Sequence, residues 1–186
     1  MIVIGITGSI ASGKTTVAKL VAQKKYPLFS ADKIVLDLYK NKKFNNLLFK
    51  KFNLDNKKKI KKQLRSLIRN NKNKLSTLEA LIHPIVRKKM KGFLKTKSKI
   101  LILEIPLLIE SKLERYFDKI IFVDAKKKIR LKRYLKRGAE KKTFETLDKR
   151  QLSPSKKKNL CDLTINNNFS LAILKKNVKK IIVNYE

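Results

Sequence analysis

The sequence predicts an α/β fold whose strands run directly into helices, and three observations carry that prediction. An apolar, β-branched run at residues 2–7 leads through a glycine-bearing loop into a helical pattern with Val17, Leu20 and Val21 on one face. Two further runs, 100–105 and 119–124, have the continuous hydrophobic character of strands buried on both faces. Ahead of both, residues 33–98 show helical periodicity and no strand pattern, as a helical insertion would.

The loop after the first strand is Gly8-Ser9-Ile10-Ala11-Ser12-Gly13-Lys14-Thr15, which fits the phosphate-binding pattern G-x-x-x-x-G-K-[ST]. Gly8 and Gly13 permit backbone angles at which successive N–H groups, including those of Ala11 and Ser12, turn inward around an anion. The helix opening at Lys14 adds its unpaired first-turn N–H groups and the positive end of its dipole. Lys14 is placed to reach β- and γ-phosphates, Thr15 to put its hydroxyl on Mg²⁺, and Thr16 to add a phosphate contact.

Composition bounds the rest. At 186 residues and 42% hydrophobic, the chain reads as one domain, 1–186, long enough for a real core. The single cysteine, Cys161, excludes an internal disulfide and any cysteine metal cluster, so a reducing, cytoplasmic setting is expected. No secretory leader and no membrane span are expected, because the first apolar run flows into the phosphate loop and no later run is long enough. The formal charge of +34 invites a nucleic-acid reading. The excess is almost all lysine, spread along the chain, whereas arginine is the preferred reader of bases and phosphates. A solvated surface is therefore favoured over a specific nucleic-acid patch, and its positive field attracts nucleotide polyanions.

Taken in order, residues 26–32 read as a short second strand with Asp32 at its carboxyl end, the edge where open α/β sheets bind ligands. Asp32 there suits orienting an attacking hydroxyl or helping to hold Mg²⁺, or capping a helix from Lys33; position alone leaves these open. Residues 57–71 form a basic helix with Ile60, Leu64, Leu67 and Ile68 inward, and residues 70–73 a turn. Ser76-Thr77-Leu78-Glu79 is a capping box that opens another helix, which Pro84 should break or kink. His83, the sole histidine, is either a helix-end residue or a substrate ligand.

The third strand carries Glu104 near its end, where an acid suits a Mg²⁺-proximal role; Pro106 is expected to start a helix with Glu110 one turn in. After the fourth strand, Arg133 and Arg137 stand four apart, the spacing of one helical face, and suit a phosphoryl clamp on a lid hinged at Gly138. Ser153-Pro154 reads as a cap and first-turn proline. Residues 162–166 form a fifth strand, 166–168 a loop, and Leu171, Leu174, Val178, Ile181, Ile182 and Tyr185 the packing face of a last helix.

Beyond the phosphate loop, four stretches together are specific: Ala31-Asp32; Leu78-Glu79-Ala80-Leu81-Ile82-His83-Pro84-Ile85-Val86-Arg87; Pro106-Leu107-Leu108-Ile109-Glu110; and Arg133 and Arg137 followed by Gln151, Asp162 and Asn166. In this order, over essentially its whole length, the chain resembles the dephospho-coenzyme A kinase family. The resemblance implies a P-loop NTPase-like, three-layer fold. Its five-stranded parallel sheet has the P-loop strand central, with a helical acceptor-binding insertion (33–98) and a lid region (126–158). It implies transfer of the ATP γ-phosphate to the ribose 3′-hydroxyl of dephospho-coenzyme A with Mg²⁺. It implies that Ala11 to Thr16 bind ATP, that Asp32 is the hydroxyl-orienting base, and that Arg133 and Arg137 are lid clamps. His83, Arg87 and the segment from Pro106 to Glu110, with Leu107 and Leu108, line the acceptor site by the same resemblance. Apart from the resemblance, a monomer is expected, the oligomeric state being open, with no specific nucleic-acid partner and no membrane partner. Three positions depart from the family pattern: Ser30 where Asp is usual, Glu104 where Asp is usual, and Arg130 at a lid glutamine. Two other readings stand beside this one, a nucleoside or nucleoside-monophosphate kinase and a basic nucleic-acid-binding protein with a vestigial loop.

Overall fold

The computed structural model describes residues 1–183, apart from the side chains of residues 69, 70 and 72. Tyr185, placed by periodicity on the last helix, lies outside the described residues. The chain forms two compact units, residues 1–30 with 96–186, and residues 31–95.

The first unit is built on a parallel sheet of β1 (Ile2–Gly8), β2 (Leu28–Ser30), β3 (Ile100–Glu104), β4 (Lys119–Asp124) and β5 (Leu163–Asn166), ordered β2-β3-β1-β4-β5. All neighbours are parallel, and the strand feeding the phosphate loop is central. Every residue of β3 is buried, which is why it reads as an unbroken apolar run instead of an alternating one. On one face, α1 (Lys14–Ala22) and α9 (Leu171–Ile182) bury Val17, Val21, Leu174, Val178 and Ile182 against Ile4, Ile6, Ile102 and Ile121. On the other, Leu108 and Phe117 lie so close that a Cβ at Gly5 would come within 2.8 and 2.9 Å of them. Leu171, expected on the inner face of α9, is 53% exposed, like the rest of the helix's first turn, and burial begins at Leu174.

The segment after β3 differs from expectation. Residues 106–112 are turns, not a helix. The Pro106 carbonyl, which in a helix would receive the Glu110 N–H, instead accepts from the Thr7 hydroxyl (3.1 Å) and from Lys157 Nζ (3.3 Å). Farther on, α6 (Lys127–Leu135), α7 (Lys141–Lys149) and α8 (Pro154–Asn159) follow β4. Arg137 falls past the end of α6, so it does not share that helix with Arg133; Gly138 there has a left-handed φ of 73°. Ser153 caps α8 by accepting from the Lys156 N–H, as its Ser-Pro signature predicts.

The second unit is four helices, α2 (Ala31–Leu38), α3 (Lys42–Phe52), α4 (Ile60–Asn70) and α5 (Lys72–Phe93), around Phe44, Leu48, Phe52, Leu64, Leu78 and Ile82. Three readings are corrected here. Asn71, not Ser76, caps α5, its side chain accepting from the Asn73 N–H, so the capping-box residues lie inside an established helix. Pro84 neither breaks nor ends α5, which runs through it for 22 residues. Leu78, Ile82, Ile85 and Val86 pack into the unit's core, and that burial outweighs the one backbone hydrogen bond the proline forgoes. Asp32, read as a strand tip, is the second residue of α2, in its acidic first turn.

Candidate active site

Sheet order and loop chemistry converge at the carboxyl ends of β1 and β3. Gly8 ends β1 where a Cβ would lie 2.5 Å from the Val123 carbonyl and 2.7 Å from Ser12 Oγ, so only glycine lets the loop leave the sheet there. Gly13 caps α1 with φ 97°, and its Cβ would collide with the Asn167 amide nitrogen. Inside the loop, the Ser9 carbonyl accepts from the Ser12 N–H (3.1 Å) and from Lys14 Nζ (3.0 Å). That second bond holds the buried Lys14 side chain folded back along the loop. Ala11 takes a left-handed φ of 57°, uncommon for a residue with a Cβ.

Below the loop, Glu104 is 1% exposed and fully engaged: Thr15 Oγ1 donates to Oε1 at 2.6 Å and Ser30 Oγ to Oε2 at 2.8 Å. Ser30 and Glu104 are paired residues in the register of β2 and β3. Two of the three departures from the family pattern are therefore direct neighbours, the longer acid meeting a hydroxyl.

Outside the loop stand side chains from the far end of the chain. The buried Arg130 donates to the Ile10 carbonyl (3.3 Å), the Ala125 carbonyl (3.0 Å) and Asp148 Oδ1 (2.6 Å), with its guanidinium over the Phe144 ring. The Ile10 N–H donates to Gln151 Oε1 at 2.9 Å. Arg133 reaches the Ser12 carbonyl (3.3 Å) and the Asn167 carbonyl (3.0 Å), and Asn167 Nδ2 donates to the Ser12 carbonyl at 2.8 Å. Burial, and then the charge of Arg137, push the Arg133 pKa down from its ordinary value. Arg137 itself is exposed.

Glu110 is engaged within the unit: Oε1 accepts from the Leu152 N–H (3.0 Å) and pairs with Lys157 Nζ (2.8 Å), whose side chain is fully buried. Its Oε2 is buried with no hydrogen-bond partner among the described residues. Leu108 is buried in the sheet's packing layer, while Pro106 and Leu107 are half-buried.

The first unit thus gathers Gly8 to Thr16, Glu104, Arg133 and Glu110 around the sheet edge. In the second unit Asp32 is exposed at the start of α2, which packs on α5; His83, half-buried, and Arg87, exposed, lie one turn apart on α5. Asn167 and Lys157 were not singled out from sequence. Asn166-Asn167-Asn168 reads only as a loop, and Lys157 sits in a Lys156-Lys157-Lys158 run that looks like solvated surface.

A dephospho-CoA kinase family model matches residues 2–172. A dephospho-CoA kinase of Bartonella quintana is 38% identical over 99% of this chain and 98% of that protein. One from Fusobacterium nucleatum is 35% identical over 97% and 96%. Among solved structures, the dephospho-CoA kinase from Campylobacter jejuni superimposes with a TM-score of 0.67 at 27% identity, covering 99% of this chain and 97% of that one. Shikimate kinase from Bacteroides thetaiotaomicron, at 14% identity and a TM-score of 0.57, shares the fold. With its phosphate loop, buried strand-end acid and parallel sheet in that order, this chain belongs to the dephospho-CoA kinase family.

Proposed function

We propose that the protein transfers the γ-phosphate of ATP to the ribose 3′-hydroxyl of dephospho-coenzyme A, the last step of coenzyme A synthesis. The observation that carries this reading is the Thr15–Glu104–Ser30 chain of hydrogen bonds beneath a loop of phosphate-binding sequence, in a chain of this family. Lys14, released from the Ser9 carbonyl, reaches the β- and γ-phosphates; the amides from Ala11 to Thr16 surround them. Asp32 orients the acceptor hydroxyl and takes its proton as that oxygen bonds to the γ-phosphorus. The bond to the β-phosphate oxygen breaks and ADP leaves. His83 and Arg87, one turn apart on α5, and the segment from Pro106 to Glu110 serve the acceptor, while Arg133 and Arg137 balance charge on the transferring group.

The oxygen donors of Thr15 and Glu104, 2.6 Å apart, fit Mg²⁺, which takes hard oxygen ligands and shares them with substrate phosphates. Thr15 would hold the ion, with Glu104 fixing the Thr15 hydroxyl, and the bound ion would supply charge neutralisation to the phosphates. A monomer in a reducing cytoplasm suits both the substrates and the lone half-buried Cys161. No described helix is long and apolar enough to cross a membrane.

The test is direct: purified protein with MgATP and dephospho-coenzyme A should yield coenzyme A and ADP. No product, or equal turnover with AMP as acceptor, refutes the proposal.

A further inference from the structure

We infer that Arg130 and Gln151 are positioning residues that preset the phosphate loop from outside, tying both feet of the 126–158 segment to one residue of the loop, Ile10. The argument starts from peptide geometry. A trans peptide is planar, so its carbonyl and the following N–H point in opposite directions. The Ile10 carbonyl is drawn outward by Arg130, which turns the Ala11 N–H the other way, into the loop. Likewise the Ser12 carbonyl is held outward by Asn167 Nδ2 and Arg133, which turns the Gly13 N–H inward. The Ile10 N–H is taken by Gln151, so both polar groups of Ile10 are fixed just before the left-handed Ala11.

The two grips belong to opposite ends of one excursion of the chain. Arg130 lies at the start of α6, and Gln151 just after α7. Asp148, at the end of α7, pairs with Arg130 at 2.6 Å, and these side chains are 16% and 3% exposed. The Arg130 guanidinium also stacks 5.5 Å from Phe144, which is fully buried. Arg130 thus commits Nε and Nη1 to protein acceptors and its ring-facing side to Phe144. It acts on the nucleotide through the loop, not by touch. An anion cradle prepared in this way spends less of its binding free energy on ordering its amides.

This inference rests on the nucleotide-binding half of the proposed function and not on the acceptor, so its test uses ADP and inorganic tripolyphosphate as probes. Gln151→Met removes the acceptor for the Ile10 N–H; Gln151→Glu keeps one; Arg130→Lys keeps a cation beside Asp148 but cannot fork to Ile10 and Ala125 together. Calorimetry should show Gln151→Met and Arg130→Lys weakening tripolyphosphate and ADP alike, by about tenfold, while the melting temperature of Gln151→Met stays within a few degrees. Residue-resolved hydrogen exchange should show Ile10 amide protection lost in Gln151→Met and retained in Gln151→Glu. The double variant should be less than additive, since the two side chains hold the adjoining peptides of one residue, Ile10.

Unchanged polyphosphate affinity in Gln151→Met despite a deprotected Ile10 amide overturns the inference, as does a loss confined to ADP. If wild-type protein makes no coenzyme A yet these affinities move as stated, the acceptor assignment fails and the brace stands.

Discussion

Thr15 Oγ1 donates a 2.6 Å hydrogen bond to Glu104 Oε1, joining the loop to the end of the neighbouring strand β3. Glu104→Gln replaces one of the two acceptor oxygens with a donor amide and disturbs the orientation of the Thr15 hydroxyl. Activity with MgATP should fall about 10- to 100-fold, with half-maximal rate at higher Mg²⁺. A Mg²⁺ titration of the steady-state rate decides it, and an unchanged titration curve refutes a link between Glu104 and the metal. Ser30→Ala should cost far less, about 1 kcal/mol of stability, since one neutral donor is lost.

Asp32→Asn separates chemistry from capping. The exposed side chain in the first turn of α2 contributes about 0.5 kcal/mol through the helix dipole, so melting should barely change. If Asp32 accepts the acceptor's proton, turnover should drop about 10²- to 10⁴-fold. A variant that loses stability but keeps its rate assigns Asp32 to helix capping alone.

Lys157→Met strands Glu110, whose Oε1 pairs with Lys157 Nζ at 2.8 Å beside an already unpartnered Oε2. Urea denaturation should show a loss of about 3 kcal/mol. Replacing both residues together, Lys157→Met with Glu110→Leu, should cost less than Lys157→Met alone. Equal losses would mean that the pair is not energetically coupled.

Burial pushes the Cys161 thiol from 9.0 up to about 11, outweighing the opposing charge of Lys157. The folded state thus keeps its proton where the unfolded state releases it. The contribution is fully present below pH 9.0 and is lost as pH rises toward about 11. Denaturation midpoints should decline over that window more in wild type than in Cys161→Ser. Alkylation of the folded protein by iodoacetamide at pH 8 should be slow against a free thiol.

Much of the fold was legible in the sequence. β4 and the capped start of α8 lie where the apolar run and the Ser-Pro signature put them, because both signals are local. Readings failed where long-range packing overrode a local rule. Pro84 stays inside α5 because the helix is anchored in its unit's core on both sides of the proline. Residues 106–112 do not become a helix because Thr7 and Lys157 compete for the Pro106 carbonyl.

The sequence alone determined the phosphate loop and the strands around it: glycine backbone freedom, β-branched runs and the lysine-threonine pair act over a few residues. Only the tertiary structure decided what stands behind that loop. Arg130, Gln151 and Asn167 reach Ile10 and Ser12 across 120 to 155 residues of chain. Those bonds exist because the parallel sheet places β4 beside β1 and β5 beside β4, and no periodicity along the chain records which polar side chains meet once the strands are laid side by side.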